Sequence, residues 1–486
     1  TPSGVSPSAT TRMINHLHRP SSLSAIQLLS PPCTLGITVG SERGSYVPQR
    51  HVLRHIGRPH HVVNLMFQHY PDMKDWPTQG VNYHGFYRNR QLNSGDGYFP
   101  LSLDSDGLWG QEFARQIADV RAYGSEPQLT LTLHADTPDT TLIRMAEALR
   151  PFTPMRIRIN HECNGTWFHF NERWTYAQVS ALFVRFHNIL HQYAPGVQTV
   201  ACWNGNAENL HEPADRQPPR GRLTDGELGP AFRVADIVSI DQYASLHYGW
   251  PDPSFDPASP SQFFKVDPEA WWTEMGNIHA AICQLRGSDT DIEIHEVNDD
   301  ADIVGDEGQA AWIRRFYREV TERALPWLRN ITFYQFRDRG GLGLERESLP
   351  DPDRYEDLPS LAAYRQAIDD SYFALRSHTL PGSGGVTHDL ELSWSGPTEA
   401  TGLRVAFDNV STSRIDLILP TQQHVLVRDG AVWHAKPVGK DHVTLGGAAQ
   451  DDRCTVDIFL PPPDGRNNRS HSFVSRLQAE PMLRMS

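Results

Sequence analysis

The sequence has little cysteine, and none of it stands in a metal-binding or redox spacing. The chain of 486 residues has five cysteines and no CxxC pair, so it predicts neither a zinc site nor a disulfide framework. Cys163 and Cys202 both fall at the ends of candidate strands, and the sequence leaves a single bridge between them open. HExxH, GxSxG and a Gly-rich phosphate loop are also missing, which argues against zinc hydrolysis, serine-based acyl transfer and a dinucleotide fold. We therefore expect no metal and no cofactor.

Long apolar runs and positive charge are scarce as well. No apolar stretch approaches the roughly 18 residues that a membrane span requires. The 44 Lys and Arg residues are outnumbered by 58 Asp and Glu, for a net charge of −14, and an acidic surface attracts neither nucleic acid nor an anionic membrane. The polar start of the chain does not resemble a signal peptide and is compatible with a trimmed mature terminus. These features favour a neutral substrate.

Aromatic residues, in contrast, are abundant and often stand in polar company. The chain has 12 Trp, 15 Tyr and 20 Phe, many of them in the segments 75–90, 96–100, 248–257 and 270–275. Each one alone is compatible with loop packing. Together they indicate platforms for flat, hydroxylated rings.

The middle of the chain repeats a short β-rich run, a loop and an amphipathic helix. The helical pattern is clearest within 175–195 and 309–324, where apolar residues recur at three- and four-residue steps. Eight strand–helix units without a phosphate loop predict an α/β fold, a (β/α)8 TIM barrel, over residues 33–380. The eight candidate strands are 35–40, 61–67, 128–136, 155–162, 197–204, 235–243, 291–296 and 330–336.

The two ends of the chain follow a different pattern. Residues 1–32 are predicted to be an N-terminal extension, and the Gly/Pro/Ser-rich stretch 381–388 to be a linker. Residues 389–486 alternate polar and apolar residues without a helical stripe, which predicts an all-β sandwich as an accessory domain.

Two glutamates stand at the ends of candidate strands four and seven, where the active site of a (β/α)8 barrel lies. Strand-four alternation directs Glu162 inwards with Arg158, and strand seven ends at Glu296. If Glu296 points inwards, the same alternation directs Glu293 at the helices, where the sequence offers it no partner. An alternative leaves Glu296 in a structural salt bridge and assigns the chemistry to Glu293 or Asp338.

Paired carboxyl groups in one cleft indicate glycoside hydrolysis. In a retaining enzyme they lie about 5–5.5 Å apart, one as nucleophile and the other as acid and base. Burial beside aromatics and a second carboxylate raises the pKa of the acid. Tyr243 at the tip of strand six and Arg158 are candidate hydrogen-bond donors to the nucleophile.

The stretch RINHECNGTWF, residues 158–168, resembles the strand-four segment of glycoside hydrolase family 26, a β-mannanase-like family of clan A. The resemblance implies that Glu162 is the acid/base and Glu296 the nucleophile. It also implies a substrate-binding histidine at His134, a tyrosine beside the nucleophile at Tyr243 and a tryptophan at the end of strand five, Trp203. Further substrate-binding candidates at the strand ends are His161, Asn164, Trp167, Phe168, Asn204, His295 and Gln335.

Two of these candidates have a structural alternative, and one stands in a sequon. His161 is also compatible with a backbone hydrogen bond, and Trp203 with core packing. Asn164-Gly165-Thr166 forms a glycosylation sequon, and a glycan there would block the cleft, so we expect Asn164 to be buried or unmodified.

The sequence thus predicts a secreted or periplasmic, monomeric, retaining endo-β-glycoside hydrolase. Its partner is a polysaccharide or oligosaccharide of β-mannan type or a related glycan. One alternative is an exo-acting glycosidase or a hydrolase of a microbial exopolysaccharide. An alternative of another class is a non-catalytic carbohydrate-binding barrel. An aldolase is disfavoured because none of the eight strand ends carries a lysine.

Overall fold

A computed structural model describes residues 33–373, except for 59, 74–75, 77–95, 104–109, 123–124, 207–225, 248–262, 349–353 and 371, and the strands near both ends of the chain. The predicted linker and most of the aromatic-rich segments 75–90 and 248–257 lie outside the described residues. Within the described part, no helix is both long enough and apolar enough to cross a membrane.

Eight parallel strands form a closed barrel. They pair in the order in which they follow one another along the chain, and the first strand also pairs with the eighth, which closes the sheet. All eight predicted strands are present, and the (β/α)8 prediction is confirmed. Barrel strands one to eight are β3 (Thr34–Thr38), β4 (Val62–His69), β6 (Glu126–Leu133), β7 (Met155–Ile159), β8 (Val197–Asn204), β9 (Ile237–Asp241), β12 (Ile292–Glu296) and β13 (Leu328–Phe333).

Each barrel strand is followed by at least one helix. The helices are α1 (Gln49–Ile56), α2 (Gly110–Ala122), α3 (Asp139–Leu149), α4 (His169–Arg173), α5 (Tyr176–Tyr193), α6 (Gly229–Val234), α7 (Pro268–Arg286), α8 (Ala301–Val304), α9 (Asp306–Arg323) and α10 (Pro359–Ala367), with a 3-10 turn at Arg150–Phe152. Short strands lie in the loops: β5 (Phe99–Pro100), β10 (Ser245–His247), β11 (Phe263–Lys265), β14 (Arg337–Asp338), β15 (Glu345–Glu347) and β16 (Tyr355–Asp357).

Local sequence signals explain where the long helices begin and end. The α5 helix starts in a capping box in which Thr175 accepts from the Gln178 backbone N–H and the Gln178 side chain accepts from the Thr175 backbone N–H. Asp267 caps α7 just before Pro268, and Gly287 ends that helix at φ 67°. The apolar stripes of α5 and α9 are buried against the barrel, as their spacing predicts.

One sequence expectation about strand seven is wrong. Glu293 does not face the helices; it accepts a 2.5 Å bond from Arg156 Nη1 and lies 2.7 Å from His295 Nε2. The cause is a β-bulge, because Ile294 pairs with Ile240 and Glu296 already pairs with the next residue of β9. An extra residue in one strand breaks the alternation of side chains, so Glu293 and Glu296 can both point into the barrel.

Replacing Arg156 with alanine is expected to destabilise the protein strongly. Arg156 is the guanidinium that compensates the buried Glu293 carboxylate, and removing one partner of a buried pair costs about 3–5 kcal/mol. The matched control is Arg318→Ala, which breaks an exposed pair with Glu322 and should cost less than about 1 kcal/mol. Denaturant unfolding measures both variants. If both variants lowered the free energy of unfolding by the same small amount, the buried Arg156–Glu293 pair would be contradicted.

The strands near both ends of the chain form two further sheets. One has the order β1 (Ser8–Ile14), β18 (Asp389–Ser395), β24 (His471–Pro481) and β20 (Thr412–Ile418). The other has the order β17 (Ser377–Thr379), β2 (Ser22–Leu29), β19 (Gly402–Asp408), β23 (Arg453–Phe459), β21 (His424–Asp429) and β22 (Val432–Pro437). Strands from the first 32 residues therefore pair with strands that follow the barrel, which the sequence did not indicate.

Candidate active site

A cavity of about 310 Å³ opens at the carboxyl ends of the barrel strands. Its volume is at the small end of the roughly 300–1,000 Å³ of ligand sites. Both predicted catalytic glutamates contribute to its wall. Six of the residues singled out from the sequence line it: His161, Glu162, Trp167, Phe168, Tyr243 and Glu296.

Glu162 reaches the cavity through an unusual backbone path. Strand β7 ends at Ile159, and both Asn160 (φ 46°) and Glu162 (φ 51°) take the left-handed conformation. The Asn160 side chain stabilises this turn by bonding the backbone N–H and C=O of Leu133 at 2.8 and 3.1 Å. Such conformations cost about 1–3 kcal/mol each and cluster at functional sites. The turn, rather than strand alternation, aims Glu162.

The environment of Glu162 favours its protonated form. Burial, followed by the nearby charge of Glu296, raises the pKa of the Glu162 carboxyl to about 8. Two donors oppose that rise: Asn204 Nδ2 donates to Oε1 at 2.8 Å, and Trp167 Nε1 donates to Oε2 at 2.7 Å. At neutral pH the carboxyl therefore carries a proton that it can give to a bound substrate.

Asn204→Ala is expected to move the alkaline limb of any pH–activity profile upwards. The Asn204 amide stabilises the Glu162 carboxylate, so its loss raises the Glu162 pKa further and keeps the acid protonated to higher pH. The wild-type limb should lie near pH 8, and kcat should fall about 10-fold to 100-fold with the loss of a hydrogen bond to a charged group. A profile of kcat/KM against pH checks this. A limb that moves downwards would contradict the assignment.

Glu296 is held by two donors. Arg158 Nη2 donates to Oε1 at 2.5 Å, and the Tyr243 hydroxyl donates to Oε2 at 2.6 Å. His161 Nε2 lies 3.8 Å from Oε1, and burial beside Arg158 lowers the pKa of His161 well below its ordinary value. The imidazole is thus neutral, and the positive charge next to Glu296 comes from Arg158.

Arg158 is fixed from below by a chain of buried side chains. Its Nε donates to Thr130 Oγ1 at 2.8 Å, Thr130 donates to Asn64 at 2.7 Å, and Asn64 donates to Thr38 at 3.1 Å. Its Nη1 contacts both carboxylate oxygens of Asp241 at 2.8 and 2.9 Å. The guanidinium is therefore oriented by strands one to four and six, independently of any substrate.

Three side chains around Arg158 have the spacing of metal ligands. Ligand atoms of His161, Asp241 and Glu296 lie within 4.8 Å of one another. Arg158 donates to both carboxylates of this group and so supplies the cation that they require. The residues present therefore fit a guanidinium and not a metal ion.

Three candidates near strand five lie outside the cavity wall: Asn164, Trp203 and Asn204. Asn164 is buried and exchanges two hydrogen bonds with the Asn204 backbone, at 2.8 and 2.9 Å. Trp203 packs on Phe232, with ring centroids 5.9 Å apart, and does not line the cavity. The sequon asparagine is thus buried, and the predicted contact of Trp203 with substrate remains a prediction.

The cysteine bridge that the sequence left open is absent. Cys163 and Cys202 are both free thiols, and Cys163 Sγ donates to the Cys202 carbonyl.

Three other candidates lie beside or below the cavity. His134 Nε2 lies 3.3 Å from Asp72 Oδ1 and 3.2 Å from Arg173 Nη1. His295 bonds Glu293 beneath the cavity, and Gln335 donates to Asp338. None of the three lines the cavity, so their predicted contact with substrate remains a prediction.

Several residues of the wall were not predicted from the sequence. Glu42 follows strand one, Leu246 lies in β10, and Tyr334 follows strand eight with its hydroxyl 3.1 Å from Ser41 Oγ. Tyr98 stands in the aromatic segment 96–100, and its hydroxyl lies 3.3 Å from His161 Nε2. The sequence predicts an aromatic platform for sugar rings in this segment, but only the fold places Tyr98 beside the two glutamates.

The two alternative carboxylates for the chemistry both have other partners. Glu293 pairs with Arg156 below the cavity. Asp338 accepts two bonds from Arg43, at 2.9 and 3.0 Å, and two more from backbone N–H groups of the following loop. Neither lines the cavity, whereas Glu162 and Glu296 do.

No protein-family model matches the chain, and no curated protein matches it in sequence. Solved structures similar to it include a GH26 β-mannanase from Bacteroides ovatus, at 11% identity and a TM-score of 0.41, covering 71% of this chain and 90% of that one. A glucosidase from Croceicoccus marinus is 12% identical with a TM-score of 0.43, covering 93% and 97% of the two chains. A GH26 endo-β-1,4-mannanase catalytic domain from Bacillus sp. JAMB-750 is 13% identical with a TM-score of 0.41, covering 71% and 87%.

Proposed function

We propose that this protein is a retaining endo-acting β-glycoside hydrolase that cleaves a polysaccharide of β-mannan type or a related glycan. The observation that supports it most is the division between two carboxyl groups on one cavity. Glu162 has a pKa raised to about 8, and Glu296 accepts from a guanidinium and a phenol. One is suited to give a proton and the other to attack as an anion.

The proposed reaction has two displacements. Glu296 attacks the anomeric carbon while Glu162 protonates the departing glycosidic oxygen, which gives a covalent glycosyl-enzyme. Glu162, now ionised, removes a proton from water, and that water displaces Glu296 with a second inversion. Arg158 and Tyr243 orient the nucleophile and stabilise its charge between turnovers.

The partners proposed for the cavity are neutral sugars on aromatic surfaces. Trp167 is 38% exposed beside Glu162, and Phe168 and Tyr98 complete an aromatic wall. Aromatic faces of this kind stack on the apolar faces of sugar rings. A secreted or periplasmic location and a monomeric state belong to this proposal, as does the role of residues 389–486, with strands from 1–32, as a β-sandwich accessory domain.

A substrate screen tests the proposed function. The full chain is incubated with β-mannan, β-xylan, β-glucan and bacterial exopolysaccharides, and new reducing ends are measured. We expect release from at least one β-linked polymer, and the first product should keep the β-configuration by proton NMR. Inversion, or release that Glu162→Gln and Glu296→Gln leave unchanged, would refute the proposal. Binding without release in the wild type would favour the non-catalytic alternative.

An exo-acting enzyme is the second candidate, because the cavity is small for a polymer cleft. The product pattern at early times separates the two modes. An endo-acting enzyme gives oligosaccharides of mixed length and a rapid fall in polymer viscosity. An exo-acting enzyme gives one small product while the viscosity hardly changes.

A further inference from the structure

Tyr98 enters the cavity wall from the loop that follows barrel strand two. The short strand β5, which begins at the next residue, pairs with the carboxyl end of β4. Just before Tyr98, the side-chain oxygen of Gln68 accepts from the backbone N–H groups of Asp96 and Gly97 at 2.9 and 3.2 Å. Gly97 takes φ 90°, a conformation that favours glycine. These contacts fix the backbone that carries Tyr98 at the mouth of the barrel.

The Tyr98 hydroxyl is one imidazole ring away from Glu296. Its oxygen lies 3.3 Å from His161 Nε2, and the same nitrogen lies 3.8 Å from Glu296 Oε1. Tyr98 is 3% exposed and lines the cavity. Burial, followed by the charge of Glu42, holds the pKa of the Tyr98 hydroxyl well above its ordinary value. The phenol therefore keeps its proton, and the direction of that proton depends on His161.

The tautomer of His161 decides how the Tyr98 proton is used. A neutral imidazole carries one proton, either on Nδ1 or on Nε2. His161 Nδ1 is buried and has no hydrogen-bond partner among the described residues. A proton on Nδ1 would therefore be an unpaired buried donor, and it would leave the bare Nε2 lone pair facing the Glu296 carboxylate. A proton on Nε2 instead faces two oxygens, those of Tyr98 and Glu296. The surroundings favour the Nε2–H tautomer.

This tautomer directs the Tyr98 proton towards the cavity. His161 Nε2–H donates to the Tyr98 oxygen, so the phenol does not spend its own proton on the imidazole. Within the part of the chain that the structure describes, His161 is the one hydrogen-bond partner of this hydroxyl. Tyr243 and Tyr334, two other phenols of the wall, already donate to protein oxygens. The Tyr98 proton is thus available to an acceptor on a bound substrate.

We propose that Tyr98 donates a hydrogen bond to the sugar that Glu296 attacks, at the hydroxyl beside the anomeric carbon, and that His161 is its positioning residue. This inference rests on the proposed function. Glu296 must lie next to the anomeric carbon to attack it, so a donor one imidazole away can reach the neighbouring hydroxyl. Hydrogen bonds at that hydroxyl strengthen in the transition state of glycoside hydrolysis. The Tyr98 hydroxyl is therefore expected to raise kcat more than it lowers KM.

Substrates that lack this hydroxyl test the contact. The probes are nitrophenyl β-mannobioside and nitrophenyl β-cellobioside, each paired with an analogue that lacks the hydroxyl on the ring that bears nitrophenyl. On the parent that the wild type cleaves faster, Tyr98→Phe should lower kcat/KM about 10-fold to 100-fold, mainly through kcat. On the analogue it should cost less than about threefold. Tyr46→Phe is the matched control, because it removes a buried phenol that donates to Asp119 away from the cavity, and it should match the wild type on both.

Nitrogen NMR of the histidine rings gives a readout that does not depend on activity. In the full chain with isotope-labelled histidine, the ring-nitrogen shifts report which nitrogen carries the proton, and His161→Gln assigns the signal. We expect the Nε2–H tautomer for His161. A proton on Nδ1, or a Tyr98→Phe variant that loses equal activity on parent and analogue, would overturn the inference while an active wild type leaves the proposed function standing. A wild type that cleaves no glycoside would overturn both.

Discussion

Replacing Glu296 with glutamine is expected to lower kcat by about 10⁴-fold or more, which corresponds to about 5 kcal/mol of transition-state stabilisation. The amide keeps the shape of the side chain but cannot form the glycosyl ester. Arg158 and Tyr243, which donate to the two carboxylate oxygens, would then face a neutral group. Steady-state rates on the best polymer from the substrate screen measure the loss.

The control for this variant is Glu293→Gln. Glu293 lies on the same strand three residues earlier, but its partners are Arg156 and His295 below the cavity. We expect its kcat per folded molecule to stay within a few-fold of wild type while its stability falls, because Arg156 loses a charged partner. The reverse pattern, with Glu293→Gln inactive and Glu296→Gln active, would refute the assignment.

Replacing Glu162 with glutamine is expected to have an effect that depends on the leaving group. With a polymer, whose leaving group needs a proton, kcat should fall by about 10²- to 10⁴-fold. With an aryl glycoside that leaves unaided, the first displacement should proceed and the glycosyl-enzyme should accumulate as a burst. Added azide should then restore turnover by attacking without base assistance, and it should give a β-glycosyl azide.

The pH dependence of Glu162→Gln gives a second readout. The wild type should lose activity as Glu162 ionises near pH 8, and the variant should lack that limb. Stability follows the same titration: a carboxyl whose pKa is raised on folding stabilises the protein below its unfolded pKa and loses that contribution as pH rises through the folded one. Glu162→Gln should therefore be more stable than wild type above about pH 8. An unchanged alkaline limb would remove Glu162 from the role of acid.

Much of the barrel could be predicted because its strands and helices have clear periodicity. The apolar stripe of α5 and the Val/Ile-rich runs of the strands are local patterns, and all eight strands lie within a few residues of their predicted bounds. The identity of the end strands could not be predicted in the same way. Ser22–Leu29 pairs with Gly402–Asp408, which is nearly the whole chain away. A local sequence pattern does not indicate which distant strand a given strand will pair with.

The parts of the candidate site that lie in a short sequence motif could be predicted. The parts that depend on an irregular backbone could not. Glu162 and Trp167 stand five residues apart in one motif, and the structure joins them by a hydrogen bond. The inward aim of Glu296 together with Glu293 depends on a bulge in β12, and alternation alone gives the wrong side for Glu293. The place of His134, beside Asp72 and Arg173 rather than in the cavity wall, depends on loop packing that the sequence does not encode locally.

The identity of the nucleophile can be measured directly by trapping it. A fluorinated glycoside with an activated leaving group slows the second displacement, so that the glycosyl-enzyme accumulates and its attachment site can be located by mass spectrometry. The peptide must be fragmented between Glu293 and Glu296, which lie on the same strand. We predict one sugar per chain, attached to Glu296. A label on Glu293 or Asp338, or steady turnover of the reagent without any label, would contradict the proposed double displacement at Glu296.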